Sequence, residues 1–159
     1  MVNTEYFKGK RVTVVGLARS GFSCALLMQK LGALVRVTDN ASNEDVQEKG
    51  ERLRARNIMV ELGAHSEAFL AKTDIMVISP GVPLTAFPVT WAHSKGVPLM
   101  SEVEIAWLLC PATVIAVTGS NGKTTTTTLI GLVLRQRGKR AFICGNIGTP
   151  FSQEVADMQ

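Results

Sequence analysis

The sequence predicts an α/β protein, a parallel sheet domain with helices on both faces followed by the first part of a second α/β unit. Two observations carry this. Short β-branched runs alternate with helix-like segments along most of the chain. Two glycine-containing turns of the phosphate-binding kind also follow strands, at 16–21 and 118–125. A boundary near Pro111 divides residues 1–110 from 111–159.

The elements follow in order. Arg11 to Val15 is a short apolar strand that stops at Gly16. Residues 19–31 carry Phe22, Leu26 and Cys24, Leu27, Leu31 at helical spacing, and Gly32 closes that helix. Leu34 to Thr38 reads as the second strand, ending at Asp39, and 43–56 as a charged helix. Ile58 to Leu62 reads as a third strand, and Ser66 caps a short helix to Ala71. Asp74 to Ser79 reads as a fourth strand, stopped by Pro80-Gly81. Residues 85–95 form a weaker helix and Val97 to Met100 a strand. Ser101 with Glu104 makes a capping box for a helix to about Leu109. Strands are expected at 112–117 and 140–144, with a helix from Lys123 to Arg137 between them. Thr124 to Thr128 favour a strand on propensity, but their place after a glycine turn makes them a helix start.

Composition narrows the function. The chain has 159 residues, 46% hydrophobic and 19% charged, which suits a globular core. No apolar run reaches the ~18–20 residues of a membrane span, and the N-terminus lacks a signal-peptide core, so a cytoplasmic protein is expected. Cys24, Cys110 and Cys144 lack metal or disulfide spacing and read as reduced, buried thiols. His65 and His93 are isolated and read as surface or structural residues. The net charge of +4 suits anionic ligands. The basic residues at 52–56 and 135–140 do not form the stripe with stacking aromatics that nucleic acid requires.

The loop Thr118-Gly119-Ser120-Asn121-Gly122-Lys123-Thr124-Thr125 has the chemistry of a nucleotide-phosphate site. Gly119 and Gly122 permit a sharp turn with N–H groups facing an anion. Lys123 reaches the terminal phosphates, and the Thr124 hydroxyl is the magnesium ligand. The form is the short G-x-x-G-K-T, because Val117 stands where a longer P-loop has its first glycine.

The first turn is Gly16-Leu17-Ala18-Arg19-Ser20-Gly21. It keeps the outer glycines of a dinucleotide fingerprint but has Ala18 where that pattern has glycine. Asp39 stands 18 residues after Gly21, where a Rossmann-like fold places an acid on a ribose or base, although such acids also cap helices. Ser79-Pro80-Gly81 lies at the same carboxyl edge, and reads nearly as well as a plain turn.

Together these residues resemble the Mur ligases. The matching runs are Gly16 to Gly21, Asp39, Ser79 to Pro83, Ser101 to Glu104, Thr118 to Thr125 and Gly145 to Gly148. Within the family, Ser120-Asn121 favours the D-glutamate-adding branch. The resemblance implies a Rossmann-like domain that binds the uridine diphosphate end of UDP-N-acetylmuramoyl-L-alanine. Arg19 and Ser20 would hold the diphosphate, Asp39 and Asn40 the uracil with Gly81 beside it, and Asn146 would reach the substrate from the second unit. It also implies a P-loop ATPase domain using ATP and Mg²⁺ at Gly119 to Thr125. The implied reaction belongs to peptidoglycan synthesis. The substrate carboxylate attacks the γ-phosphate, and the D-glutamate amine then displaces phosphate from the acyl phosphate. Lys123 and Mg²⁺ would offset charge on the transferred group.

Family members continue beyond the position of Gln159, so the resemblance implies a fragment that is inactive alone. Its incomplete second unit is expected either to self-associate or to be poorly ordered. Two other readings are a nicotinamide-dependent oxidoreductase domain and a non-catalytic nucleotide-binding module. The absent middle glycine and the second phosphate loop weigh against the first.

Overall fold

The computed structural model describes residues 4–158. Its centre is a five-stranded parallel sheet in the order β3-β2-β1-β4-β5. The strands are β1 (Arg11–Val15), β2 (Leu34–Asp39), β3 (Met59–Leu62), β4 (Ile75–Ile78) and β5 (Leu99–Ser101). Helices α1 (Arg19–Lys30), α2 (Glu44–Arg54), α3 (Glu67–Leu70), α4 (Phe87–Lys95) and α5 (Glu102–Leu109) follow them in turn. The remaining helices are α6 (Lys123–Gln136) and α7 (Phe151–Met158). The chain winds from β1 outward to β3, then crosses back to β4 on the other side of β1. The carboxyl ends of β1 and β4 therefore flank the point where the winding reverses.

Alternation along the strands builds two cores. Val12 and Val14 of β1, Val35 and Val37 of β2, and Ile75 and Val77 of β4 join one cluster with Cys24, Leu27 and Met28 of α1, Leu53 of α2, and Ile105 of α5. Val15 and Met76 point the other way, to Leu70 of α3 and Trp91 and Ala92 of α4. Both faces are covered, so the central strands are mostly apolar, as in parallel sheets generally. Of the buried polar residues on these strands, Thr13 and Thr38, Thr13 meets the Thr73 hydroxyl at 2.8 Å, and Thr73 in turn donates to the Leu70 carbonyl at 2.5 Å.

Local signals place the helix ends. Ser66 caps α3 by accepting from the Phe69 N–H, and Ser101 with Glu104 forms the expected capping box on α5. Asn43 caps α2 in the same way. Gly32 adopts φ +78° just past α1, a left-handed conformation that favours glycine.

The second unit departs from expectation. Strands do not form at 112–117 or 140–144. A parallel strand exists only through its neighbours, and none of the five strands pairs with either segment. Val114 and Ile115 are accordingly 39% and 56% exposed. Residues 139–143 run beside α6 instead. Arg135 Nε donates to the Ala141 carbonyl at 2.9 Å, and Ile143 packs where Gly131 leaves room. Helix α7, absent from the sequence reading, packs on α1 and α5, burying Phe151 and Val155 in the main core. Its Ser152 N–H donates to Oε1 of Glu102, a carboxylate that is only 1% exposed, at 2.7 Å.

At the opposite end of the sheet, Asp74 accepts from the Arg11 backbone N–H at 2.8 Å and from its guanidinium at 3.0 and 2.5 Å. These bonds hold the Asp74 carboxyl down at about 2, below its ordinary 3.8. The folded-state value is the lower one, so the contribution is complete above about pH 3.8 and fades as pH falls toward 2. The stability gap between wild type and Asp74→Asn, measured by urea unfolding, should therefore narrow across that interval. Added salt should also narrow it at neutral pH, because the pair is partly exposed.

Candidate functional site

A cleft of about 360 Å³ opens at the carboxyl ends of β1, β2 and β4. Five separate chain segments form it, His65 being the fifth. The turn after β1 contributes Gly16, Ala18, Arg19 and Ser20, and the end of β2 contributes Asp39 and Asn40. Ser79, Pro80 and Gly81 follow β4, and Asn146 enters from the second unit. Ten of the twelve residues expected to contact a substrate thus meet at one place.

The other two, Leu17 and Gly21, shape the turn from behind. The Leu17 side chain is buried in the core. A Cβ on Gly21 would stand 1.8 Å from the Gly16 carbonyl oxygen and 2.6 Å from Ser79 Oγ. The last glycine of the motif is thus required for close packing of the α1 start against the turn. Gly16 has φ +91°, which also favours glycine.

The turn is bonded to both neighbouring strands. Gly16 N–H donates to the Thr38 carbonyl at 2.8 Å, and Ser79 Oγ donates to the Gly16 carbonyl at 2.9 Å. Asp39 uses both carboxylate oxygens on backbone. Oδ2 accepts from Leu17 N–H at 2.5 Å, and Oδ1 from Ala41 N–H at 2.8 Å. The acid that a Rossmann-type site turns toward a ribose here anchors the turn as well as lining the cleft.

Arg19 is exposed, and its Nη1 donates to the Gly148 carbonyl at 3.2 Å. That bond ties the first turn to the 145–150 segment and carries a cation to the rim of the cleft. His65 also lines the cleft, a position the sequence reading left as structural or surface. Its Nδ1 lies 2.8 Å from Thr38 Oγ1. Burial lowers the imidazole below its ordinary value, against the opposing pull of the Asp39 and Glu61 carboxylates. The one signal for it in the chain is its position just past a strand at the carboxyl edge, which a lone histidine does not advertise.

The second loop lies apart from this cleft. Gly119 to Thr125 are exposed, with Gly119 at φ +147° and Gly122 at φ +75°. Lys123 Nζ folds back on the loop, donating to the carbonyls of Gly119 and Ser120. The turn opens onto α6, a helix of 14 residues whose first turn has no acidic residue, so its positive end faces the loop. No group of three or more metal-ligating side chains occurs among the described residues. The cysteines form no disulfide, and burial pushes the Cys144 thiol up to about 11.

The strand order, the cleft at the reversal of winding and the closely packed first turn define a Rossmann-type domain. The chain belongs to the Mur ligase family. Residues 10–101 match the family described as "Mur ligase MurD-like, N-terminal domain", and residues 117–158 match "Mur ligase middle domain". Among curated relatives, the UDP-N-acetylmuramoylalanine–D-glutamate ligase of Koribacter versatilis is 45% identical over 143 residues, 90% of this chain and 32% of that protein. The enzyme of the same name from Streptococcus pneumoniae strain TIGR4 is 45% identical over 150 residues, 94% of this chain and 33% of that protein. The chain thus spans about a third of the length of these relatives. Two solved structures share the fold. UDP-N-acetylmuramate-alanine ligase of Thermotoga maritima has a TM-score of 0.55 at 24% identity, covering 82% of this chain and 30% of that one. A murein peptide ligase of Psychrobacter arcticus has a TM-score of 0.56 at 24% identity, covering 82% and 27%.

The glycine contacts make a paired prediction. Gly21→Ala should lower stability by about 1–3 kcal/mol or more in thermal unfolding, since backbone must move to admit the methyl group. Gly81→Ala, whose Cβ would meet nothing within 4 Å, should stay within about 0.5 kcal/mol of wild type.

Proposed function

We propose that this chain is the UDP-substrate-binding domain, residues 1–110, and the leading part of the ATP-binding domain, residues 111–159, of a ligase that adds D-glutamate to UDP-N-acetylmuramoyl-L-alanine. The observation that carries the reading is the cleft itself. It gathers the first turn, Asp39-Asn40, Ser79-Pro80-Gly81 and Asn146, and its composition suits a nucleoside diphosphate. The names of the 45%-identical relatives supply the particular acceptor and amine.

In this reading Arg19 and Ser20 hold the diphosphate at the start of α1, where N–H groups and the helix dipole also favour an anion. Asn40 and Gly81 border the base, and Asn146 reaches the sugar-peptide end. The loop at Gly119 to Thr125 suits a triphosphate by its glycine conformations, its lysine and the exposed start of α6. Lys123 would leave the Gly119 and Ser120 carbonyls for the terminal phosphates. Thr124 would offer its hydroxyl to Mg²⁺, which when bound neutralises charge on the transferring phosphoryl group.

Titration calorimetry tests this directly. The 159-residue chain should bind UDP and not NADH. Arg19→Ala should weaken UDP about tenfold, the loss of one charge-assisted contact. Binding of NADH in preference to UDP would support the oxidoreductase reading instead. Lys123→Ala should abolish ATP binding while leaving UDP affinity unchanged, because the two loops occupy separate places.

A further inference from the structure

We propose that His65 is a specificity-determining residue of the cleft, its Nε2 accepting a hydrogen bond from the imide N–H of a uracil-type base. The proposal rests on the UDP-binding reading above.

Each Asp39 carboxylate oxygen already accepts a backbone N–H, from Leu17 and from Ala41. The acid expected to meet the ligand is therefore engaged in holding the turn. Beside it, β3 pairs with β2, and the loop after β3 brings His65 to the same edge of the sheet.

The proposal places the His65 proton on Nδ1, an arrangement that the acceptors around Thr38 allow. Thr38 Oγ1 is buried and has one proton to give. It stands 3.1 Å from the Ala64 carbonyl and 3.4 Å from Glu61 Oε2, both of which only accept. Glu61 is itself satisfied by the Ser66 N–H at 2.8 Å and the Ser66 hydroxyl at 2.5 Å. In the proposed arrangement Thr38 gives its proton to the Ala64 carbonyl and keeps a lone pair for the ring. His65 Nδ1, 2.8 Å away, is the donor in that arrangement. A neutral imidazole with its proton on Nδ1 has a lone pair on Nε2. Burial favours that neutral form. Nε2 has no protein partner among the described residues, and the ring lines the cleft.

An acceptor there selects among bases. Uracil presents an N–H between two carbonyls, whereas cytosine presents a lone pair at the same ring position. Asn40, on the adjoining strand end, adds an amide that can donate to a uracil carbonyl. Donor and acceptor together match an imide edge and reject a cytosine edge, because a lone pair facing Nε2 leaves both unsatisfied.

The test uses the 159-residue chain, with calorimetry and long-range ¹H–¹⁵N correlation spectra of the histidine rings. Wild type should bind UDP at least about tenfold more tightly than CDP or N3-methyl-UDP. His65→Ala should weaken UDP about tenfold and erase both preferences. His65→Gln, which keeps an acceptor, should retain them. The spectra should show the proton on Nδ1 and an Nε2 resonance that moves when UDP is added. A proton on Nε2 in the free protein, or discrimination that survives in His65→Ala, would overturn the assignment. Transfer of the lost preference to 2′-deoxy-UDP would also overturn it, placing the contact on the ribose. Failure of wild type to bind UDP at all would remove the parent reading and this assignment with it. UDP binding with unaltered selectivity in the variant would remove this assignment alone.

Discussion

The turn from Gly16 to Gly21 is bonded to the strands on either side of it, and the rest of the site takes its geometry from those bonds. Thr38 and Asp39 hold it from β2, and Ser79 holds it from the end of β4. These bonds draw the start of α1 so close that Gly21 has no room for a Cβ. The close approach fixes where the α1 N-terminus points, and therefore where an anion is best received. The β1 and β4 ends, which flank the cleft, are held together by their own parallel pairing, Val15 opposite Ile78.

The same constraint reassigns familiar residues. A carboxylate after the second strand is expected to meet a ribose, but here Asp39 has backbone partners on both oxygens. A free carboxylate would repel the diphosphate that the reading places nearby, and one neutralised by N–H groups does so less. In the proposed function recognition passes to neutral groups around it, Asn40, Ser20 and the His65 ring. In that proposed function the positive contribution comes from the helix terminus and Arg19.

The second unit joins the first through α7 and the 145–150 segment. The buried Glu102 carboxylate accepts the Ser152 N–H at the start of α7, and Phe151 and Val155 extend the main core. Arg19 meets the Gly148 carbonyl on the cleft side. These contacts bring Asn146 to the cleft although it lies more than a hundred residues along the chain from the first turn. The phosphate loop and the outer face of α6 have no such support. Leu129, Leu132 and Val133 are exposed at about half of their surface.

Much of this was legible in the residues themselves. The β-branched runs, the caps at Ser66 and Ser101, the two glycine turns and the family resemblance are local patterns, set by backbone sterics and hydrogen-bond chemistry within a few residues. They sufficed for the first sheet and for ten cleft residues, because strand ends in a doubly wound sheet converge by topology. Tertiary structure decided the rest. Residues 112–117 have strand-like chemistry but no neighbouring strand, and a parallel strand cannot satisfy its backbone alone. Helix α7 owes its place to Glu102 and an apolar surface supplied by α1 and α5. The roles of Asp39 and His65 depend on which donors and acceptors stand within 3 Å or so of them, and that distance is set only when distant segments pack together.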